Sequence, residues 1–405
     1  MADPRRCSAV NPAYALLAAA GKVLLLQGPV GPFFDRLADW LLRREAEVTR
    51  VVLQGGDLRD CQAVAPLVYD GALAEWPSWL RGLIERSRPD CIVLFGQSRL
   101  YHRVALRLGA ELAVPVVVLE EGYFRPGYLT MELGGVNSFS TTLDRYRWTP
   151  AAARLPLAPA ACSWHFQQTA WHAARHYAAL WRHRSAFAFY LHHRASGPLQ
   201  YAAYWLRSWA LKALCAPGDA WRQHGLAADG RPYFFVPLQH DGDPQVTQHS
   251  GYARNAEFIV EVMRSFSLHA APETLLVFKQ HPQSRGATGH SALIRGLGRE
   301  MGLAGRVRYL LEGDTGTLSR HAAGVVLINS TVGLQALQAG TPLMVMGEAV
   351  YKRPHLTASC SLEQFWADPP RPDPALVEAF LDQLKNLTQM PASLYARRGQ
   401  ALDWP

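Results

Sequence analysis

The chain alternates between short apolar runs and longer stretches with apolar residues at helical spacing. Residues 22–27 (KVLLLQ) are branched and apolar for the length of one buried strand, and 48–53, 91–95 and 114–119 repeat the pattern. After the first run, 33–44 sets Phe33, Leu37, Trp40 and Leu41 on one helical face. A second series starts at Tyr233 (YFFVPL) and continues with strand-like runs at 275–278, 307–310, 325–328 and 342–346. Helical stretches at about 254–268, 291–301 and 332–338 separate them. Runs that are apolar throughout, with helices between them, predict parallel strands covered on both faces. The fold class expected is α/β, with two Rossmann-like halves.

Between the two series the pattern changes. Residues 163–214 are helical in character and crowded with Trp, Arg and His, with a break at Ser196-Gly197-Pro198 that predicts two helices. Net charge is +8, and the span 151–230 holds eight Lys and Arg against two Asp and Glu. One reading makes these helices an interdomain layer with Trp in its core. The other makes them a surface for lipid headgroups, with Trp at headgroup level and Arg on phosphate. The absence of long Lys runs favours lipid over nucleic acid. A last amphipathic helix, 374–387, follows the second series. The expected domains are 1–160, N-terminal and Rossmann-like; 161–228, an inserted basic, Trp-rich helical segment; 229–365, C-terminal and Rossmann-like; and 366–405, a helix crossing back. Two such halves facing across a cleft form a GT-B-like layout.

Composition narrows the class. An apolar content of 49% and a charged content of 18% describe a folded chain of 405 residues, long enough for two cores. Six Cys without a CxxC pair argue against a zinc site or a disulfide framework and for a reducing compartment. No signal peptide and no apolar run of about 20 residues is visible, so the expectation is a cytoplasmic protein.

Polar residues collect where the predicted strands end. The groups are Gln27-Gly28; Glu120-Glu121 with Arg125; Gln239 through Asp243; Lys279-Gln280-His281; and Asn329-Ser330-Thr331 with Gln335. Ligands of open parallel sheets sit at these ends. Each group also has a structural alternative. Asp241-Gly242-Asp243 has the form of a metal-binding pair, and equally of an ordinary turn. Glu120-Glu121 reads as one inward and one solvated carboxylate, or as a functional pair. His281, before Pro282 and beside Lys279, suits a phosphate-facing donor or general acid. Ser330-Thr331 is a helix cap in form, which is compatible with holding phosphate.

These clusters also carry a resemblance. The stretches LLLQGPVGPFFDRLADWL, FGQSRLYHRVA, LEEGYFRPGYLTMELGGVN, FVPLQHDGDPQV, FKQHPQSRG and INSTVGLQALQAGTPLMVMG resemble the capsule polysaccharide biosynthesis and export family, KpsS/LipB type, from about residue 22 to 350. The resemblance implies a retaining β-Kdo glycosyltransferase that moves Kdo from CMP-β-Kdo to a phosphatidylglycerol or lyso-phosphatidylglycerol acceptor, starting the poly-Kdo linker of a capsule. It places His281 on the CMP phosphate, with Ser330 and Thr331 as further phosphate or cytidine contacts. The Gln-x-x-Gly-Asp pattern falls on Gln239 and Asp243 and implies Asp243 as nucleophile, with Glu121 as base; residue 238 is Leu where two-module relatives carry Asp. Nothing in the sequence separates Asp243 from Glu121 as nucleophile. CMP has one phosphate and leaves without a metal, so no metal or other cofactor is expected. The partners the resemblance implies are CMP-Kdo, the lipid acceptor, the inner-membrane surface, on which the chain would be peripheral, and other capsule assembly proteins, and no nucleic acid. Two alternatives remain: a transferase for another nucleotide sugar, and a non-catalytic scaffold tethered to the membrane.

Overall fold

The computed structural model describes residues 11–145, 166–192, 198–240, 250–286 and 289–404. The chain divides into two compact units, one of Met1–Ala195 with Asp382–Pro405 and one of Ser196–Leu381. Each is an α/β unit on its own sheet.

The first sheet contains β1 (Lys22–Leu25), β2 (Glu47–Val52), β3 (Pro66–Val68), β4 (Cys91–Phe95), β5 (Val116–Glu121), β6 (Tyr128–Leu133) and β12 (Gln389–Pro391). Its order is β12-β6-β5-β4-β1-β2-β3. Strands β1 to β5 run parallel, whereas β6 lies antiparallel to β5 and β12 antiparallel to β6. Leu24, Leu25, Ile92, Val93, Val117 and Val118 are fully buried, as covering on both faces requires.

Three of these strands escape the apolar pattern, each for its own reason. β3 is a short, exposed edge strand that opens on Pro66, where a missing N–H costs nothing. β6 is buried almost throughout, yet carries Thr130 and Glu132 inward. β12 follows directly on the helix Pro374–Thr388. The C-terminal segment is then fastened by Arg36, which donates to the carbonyls of Ser393 (2.7 Å) and Gln400 (2.6 Å), and by Trp404 edge-on to Trp40.

The second sheet is all parallel: β7 (Tyr233–Pro237), β8 (Leu275–Lys279), β9 (Val307–Leu310), β10 (Gly324–Leu327) and β11 (Leu343–Val345), in the order β11-β10-β7-β8-β9. Its core is rich in Phe, with Phe234, Phe258, Phe266, Phe278 and Phe365 all buried.

The two parallel arrays share one winding. Each starts at an inner strand (β1, β7), adds two neighbours on one side, then returns to build the other side (β4 and β5, β10 and β11). Each therefore has a point where the winding reverses, between β1 and β4 and between β7 and β10.

The Trp-rich stretch is shared between the units. Helix Phe166–Arg182 belongs to the first and helix Pro198–Asp229 to the second. The second helix continues beyond 214 through Pro217. Among the described residues, no helix is long and apolar enough to cross a membrane.

Candidate functional site

In a doubly wound sheet the strands on either side of the winding reversal part at their C-terminal ends and leave a crevice. In the second unit those strands are β7 and β10, and the residues just beyond them are Gln239 and Asn329. Gln239 Nε2 donates to Asn329 Oδ1 (2.8 Å), and the Asn329 backbone N–H donates to Gln239 Oε1 (3.1 Å). Asn255 Nδ2 donates to the Gln239 carbonyl at 2.9 Å. Gln239 is buried, so its side chain braces the crevice.

The next strand end is that of β8. Lys279 is buried, and burial holds its amine below the usual lysine range against the opposing charge of Glu312. Gln280 is also buried. Its Oε1 accepts from Tyr309 Oη (2.8 Å) and faces His290 Nδ1 (3.3 Å). His281, one residue on, is only half-buried. Its Nδ1 accepts the Gln283 backbone N–H at 3.1 Å. That bond places the proton of the neutral ring on Nε2, which becomes the donor. His240 stands edge-on to His281 with ring centroids 6.4 Å apart.

Beyond β10, Ser330 Oγ accepts the Val332 N–H (3.3 Å), and Thr331 makes no side-chain cap bond. Tyr351, buried, donates from its hydroxyl to the Ser330 carbonyl. A Cβ on Gly333 would lie 2.5 Å from the Tyr351 ring, so this glycine makes room for a side chain of the protein. Gln335 and Thr331 are exposed. His240 falls within the expected Gln239–Asp243 cluster, without an expected role of its own, and Tyr351 lies outside every expected cluster.

In the first unit the winding reverses between β1 and β4. Gln27, buried beyond β1, donates to Asp57 (2.8 Å) and to the Tyr190 hydroxyl (3.1 Å). Gly28 accepts at its carbonyl from Arg99 (2.9 Å), and a Cβ there would meet the Phe34 ring at 2.6 Å. Gln97, beyond β4, spans the backbone N–H and C=O of Val136, each at 3.0 Å. Glu120 and Glu121 lie within β5, in register with Thr130 and Leu129. Glu121 pairs with Arg125 at 2.5 Å. The turn after them is held by Gln389 Oε1, which accepts the Tyr123 N–H at 2.9 Å. Behind it, Tyr123 Oη and Ser140 Oγ donate to Glu132, whose carboxyl is pushed up to about 7 by burial. Asp241, Gly242 and Asp243 lie outside the described residues.

The model of the family described as "Capsule polysaccharide biosynthesis protein" matches residues 90–395. The chain belongs to that family. It is 36% identical over 391 residues to the Escherichia coli "Capsule polysaccharide export protein KpsS", covering 95% of this chain and 99% of that one. It is 33% identical over 395 residues to the Neisseria meningitidis serogroup A "Capsule polysaccharide modification protein LipB", covering 94% and 93%. Among solved structures, Thermosulfurimonas dismutans KpsC, titled a beta Kdo 2,7 transferase, aligns with 90% of this chain and 99% of its own, at 14% identity and a TM-score of 0.40. The KpsC structure titled a beta Kdo 2,4 transferase aligns with 90% of each chain, at 14% identity and a TM-score of 0.41.

The match of this capsule family covers the second unit's strand ends. Of the expected residues there, Gln239, Lys279 and Gln280 are buried, and His281, Asn329, Ser330, Thr331 and Gln335 are half-buried or exposed. The inner set holds the backbone in place. The outer set carries an imidazole, two amides and two hydroxyls, with Lys279 behind them.

Proposed function

We propose that this capsule-family chain is a retaining glycosyltransferase that moves Kdo from CMP-β-Kdo to a phosphatidylglycerol or lyso-phosphatidylglycerol acceptor. The observation that carries the reading is His281, just beyond the end of β8, whose Nδ1 accepts the Gln283 N–H, so that the neutral ring carries its proton on Nε2. A single-phosphate leaving group calls for a neutral or cationic donor at its departing oxygen, and no metal.

Kdo has a tertiary anomeric carbon that bears a carboxylate, so its transition state has oxocarbenium character. Asp243 attacks that carbon as the bond to the CMP phosphate oxygen breaks, and His281 Nε2–H supports the charge on the leaving oxygen. The acceptor hydroxyl then attacks the same carbon, its proton passes to Glu121, and the Asp243 carboxylate is released. Two displacements return the starting configuration. Asn329, Ser330, Thr331 and Gln335 would hold the nucleotide, with Gln239 and Gln280 as braces and Lys279 supplying positive charge. Glu120 and Arg125 would serve the acceptor, with Arg125 setting the Glu121 carboxylate.

The test is mass spectrometry of a fluorescent phosphatidylglycerol analogue after incubation with the purified chain and CMP-Kdo. A gain of one Kdo mass with the wild type and not with Asp243→Ala is the expected result. A gain in both moves the nucleophile to Glu121. No gain in either, from a folded protein that turns over a different nucleotide sugar, replaces the donor; no turnover of any donor leaves a scaffold.

A further inference from the structure

Amphipathic helices of a folded protein turn apolar residues inward. Helix Phe166–Arg182 does the reverse. Its inward face carries His172, His176, Ala179 and, just past the end, His183. His176 is buried between Gln54 Nε2 (2.9 Å) and Asp60 Oδ2 (3.2 Å). The helix sits on a glycine pair: a Cβ on Gly55 would lie 2.4 Å from the Ala179 carbonyl, and one on Gly56 2.4 Å from the His176 ring. The outward face is Trp171, Ala174, Arg175, Ala178, Trp181 and Arg182, all exposed. Trp171 and Trp181 are each 60% exposed.

The second unit, taken by itself, repeats the inversion on helix Pro198–Asp229. Ser208 and Asp219 point inward and are buried. Ser208 accepts from Arg285 (3.2 Å), and Asp219 accepts the Leu311 and Glu312 N–H groups (2.9 and 3.0 Å). Leu206, Trp209, Leu214 and Trp221 fall within one outward face, with Leu214 78% and Trp221 77% exposed.

Charge identifies the occupant. Residues 166–192 contain no Asp or Glu at all, and helix Pro198–Asp229 has two carboxylates, Asp219, which is buried, and Asp229 at its last residue, which is paired with Arg231. Trp171 and Trp181 are instead paired with guanidinium groups: Arg175 lies 5.5 Å from the Trp171 ring and Arg184 4.6 Å from Trp181. An outward tryptophan row with cations beside it and no unpaired carboxylate along it matches an anionic bilayer surface, where indole sits at headgroup level and arginine meets phosphate. We infer that the outward faces of helices Phe166–Arg182 and Pro198–Asp229 are membrane-docking surfaces for anionic lipid. The inference stands apart from the transferase reading, since docking needs no donor sugar.

The experiment floats the full chain with vesicles of phosphatidylcholine alone or mixed with phosphatidylserine, an anionic lipid that is not the proposed acceptor. The chain is expected to rise with the anionic vesicles only, and to be released by salt. Trp171→Ser/Trp181→Ser and Leu214→Ser/Trp221→Ser each lower vesicle affinity about tenfold. Arg175→Glu/Arg182→Glu lowers it tenfold or more, at roughly fivefold per charge removed. Leu268→Ser, an exposed leucine on another helix, leaves it unchanged. Failure of the natively folded wild type to float, equal binding to both vesicle types, or unaltered binding by the double variants overturns the inference. So does light scattering that finds a wild-type dimer and a monomeric Trp171→Ser/Trp181→Ser, which assigns the face to a second copy of the chain.

Discussion

Gln239 and Asn329 exchange two hydrogen bonds across the point where the second sheet reverses its winding. They join the ends of β7 and β10, strands that would otherwise part there. Gln239→Ala removes both bonds, whereas Asn329→Ala removes one and keeps the Asn329 backbone N–H on Gln239 Oε1. Asn329→Ala leaves the amide of the buried Gln239 uncompensated at a cost of about 1–3 kcal/mol. A double-mutant cycle followed by urea unfolding is expected to show coupling of about 0.5–3 kcal/mol between the two. Additive effects would mean that the two side chains do not brace each other.

His281 offers a sharper test of chemistry. Asn at this position can still accept the Gln283 N–H but has no atom where Nε2 stands; Gln places a donor near Nε2. His281→Asn is expected to lower kcat by about a hundredfold or more, with stability unchanged. Partial rescue by His281→Gln in a CMP-release assay would mark hydrogen bonding to the leaving group. No rescue would mark proton transfer.

Glu132 sets a pH dependence of stability. Buried under Tyr123 and Ser140, it keeps its proton up to about 7, against 4.5 for an unperturbed glutamate. Between those values the unfolded chain has lost a proton that the native state retains. Stability therefore falls as the pH rises through that window, by about 1.4 kcal/mol per unit where the difference is complete. Glu132→Gln removes the fall. Thermal unfolding is expected to find the variant close to wild type at pH 5 and more stable than wild type at pH 8.

The glycine pair under helix Phe166–Arg182 separates docking of the helix from the role of its outer face. Gly55→Ala and Gly56→Ala drive a methyl group into Ala179 or His176. Each is expected to destabilise the protein by about 1–3 kcal/mol. Trp171→Ser, on the outer face, stays within about 0.5 kcal/mol of wild type. Chemical denaturation of the three variants side by side checks both statements.

Hydrophobic periodicity by itself determined the α/β class, nine of the parallel strands' positions to within a few residues, and the collection of polar residues at their ends. It could do so because strands covered on both faces must be apolar throughout, which leaves polar residues only where the strand stops. It did not announce β6 and β12: their polar residues are satisfied by partners distant in sequence, as Thr130 is by Gln389. The tertiary structure alone decided which strand-end residues brace and which face outward. Gln27, Gln239 and Gln280 read like ligand contacts, but Asp57, Asn329 and Tyr309 fold over to occupy them. It also decided the sense of the Trp-rich helices. A helical wheel shows two faces and cannot say which meets the body; Gly55, Gly56 and Asp60 settle that for one helix, and the 311–312 backbone for the other. The physical reason is the same throughout: a polar side chain is defined by the partner that reaches it, and here that partner arrives from elsewhere in the chain.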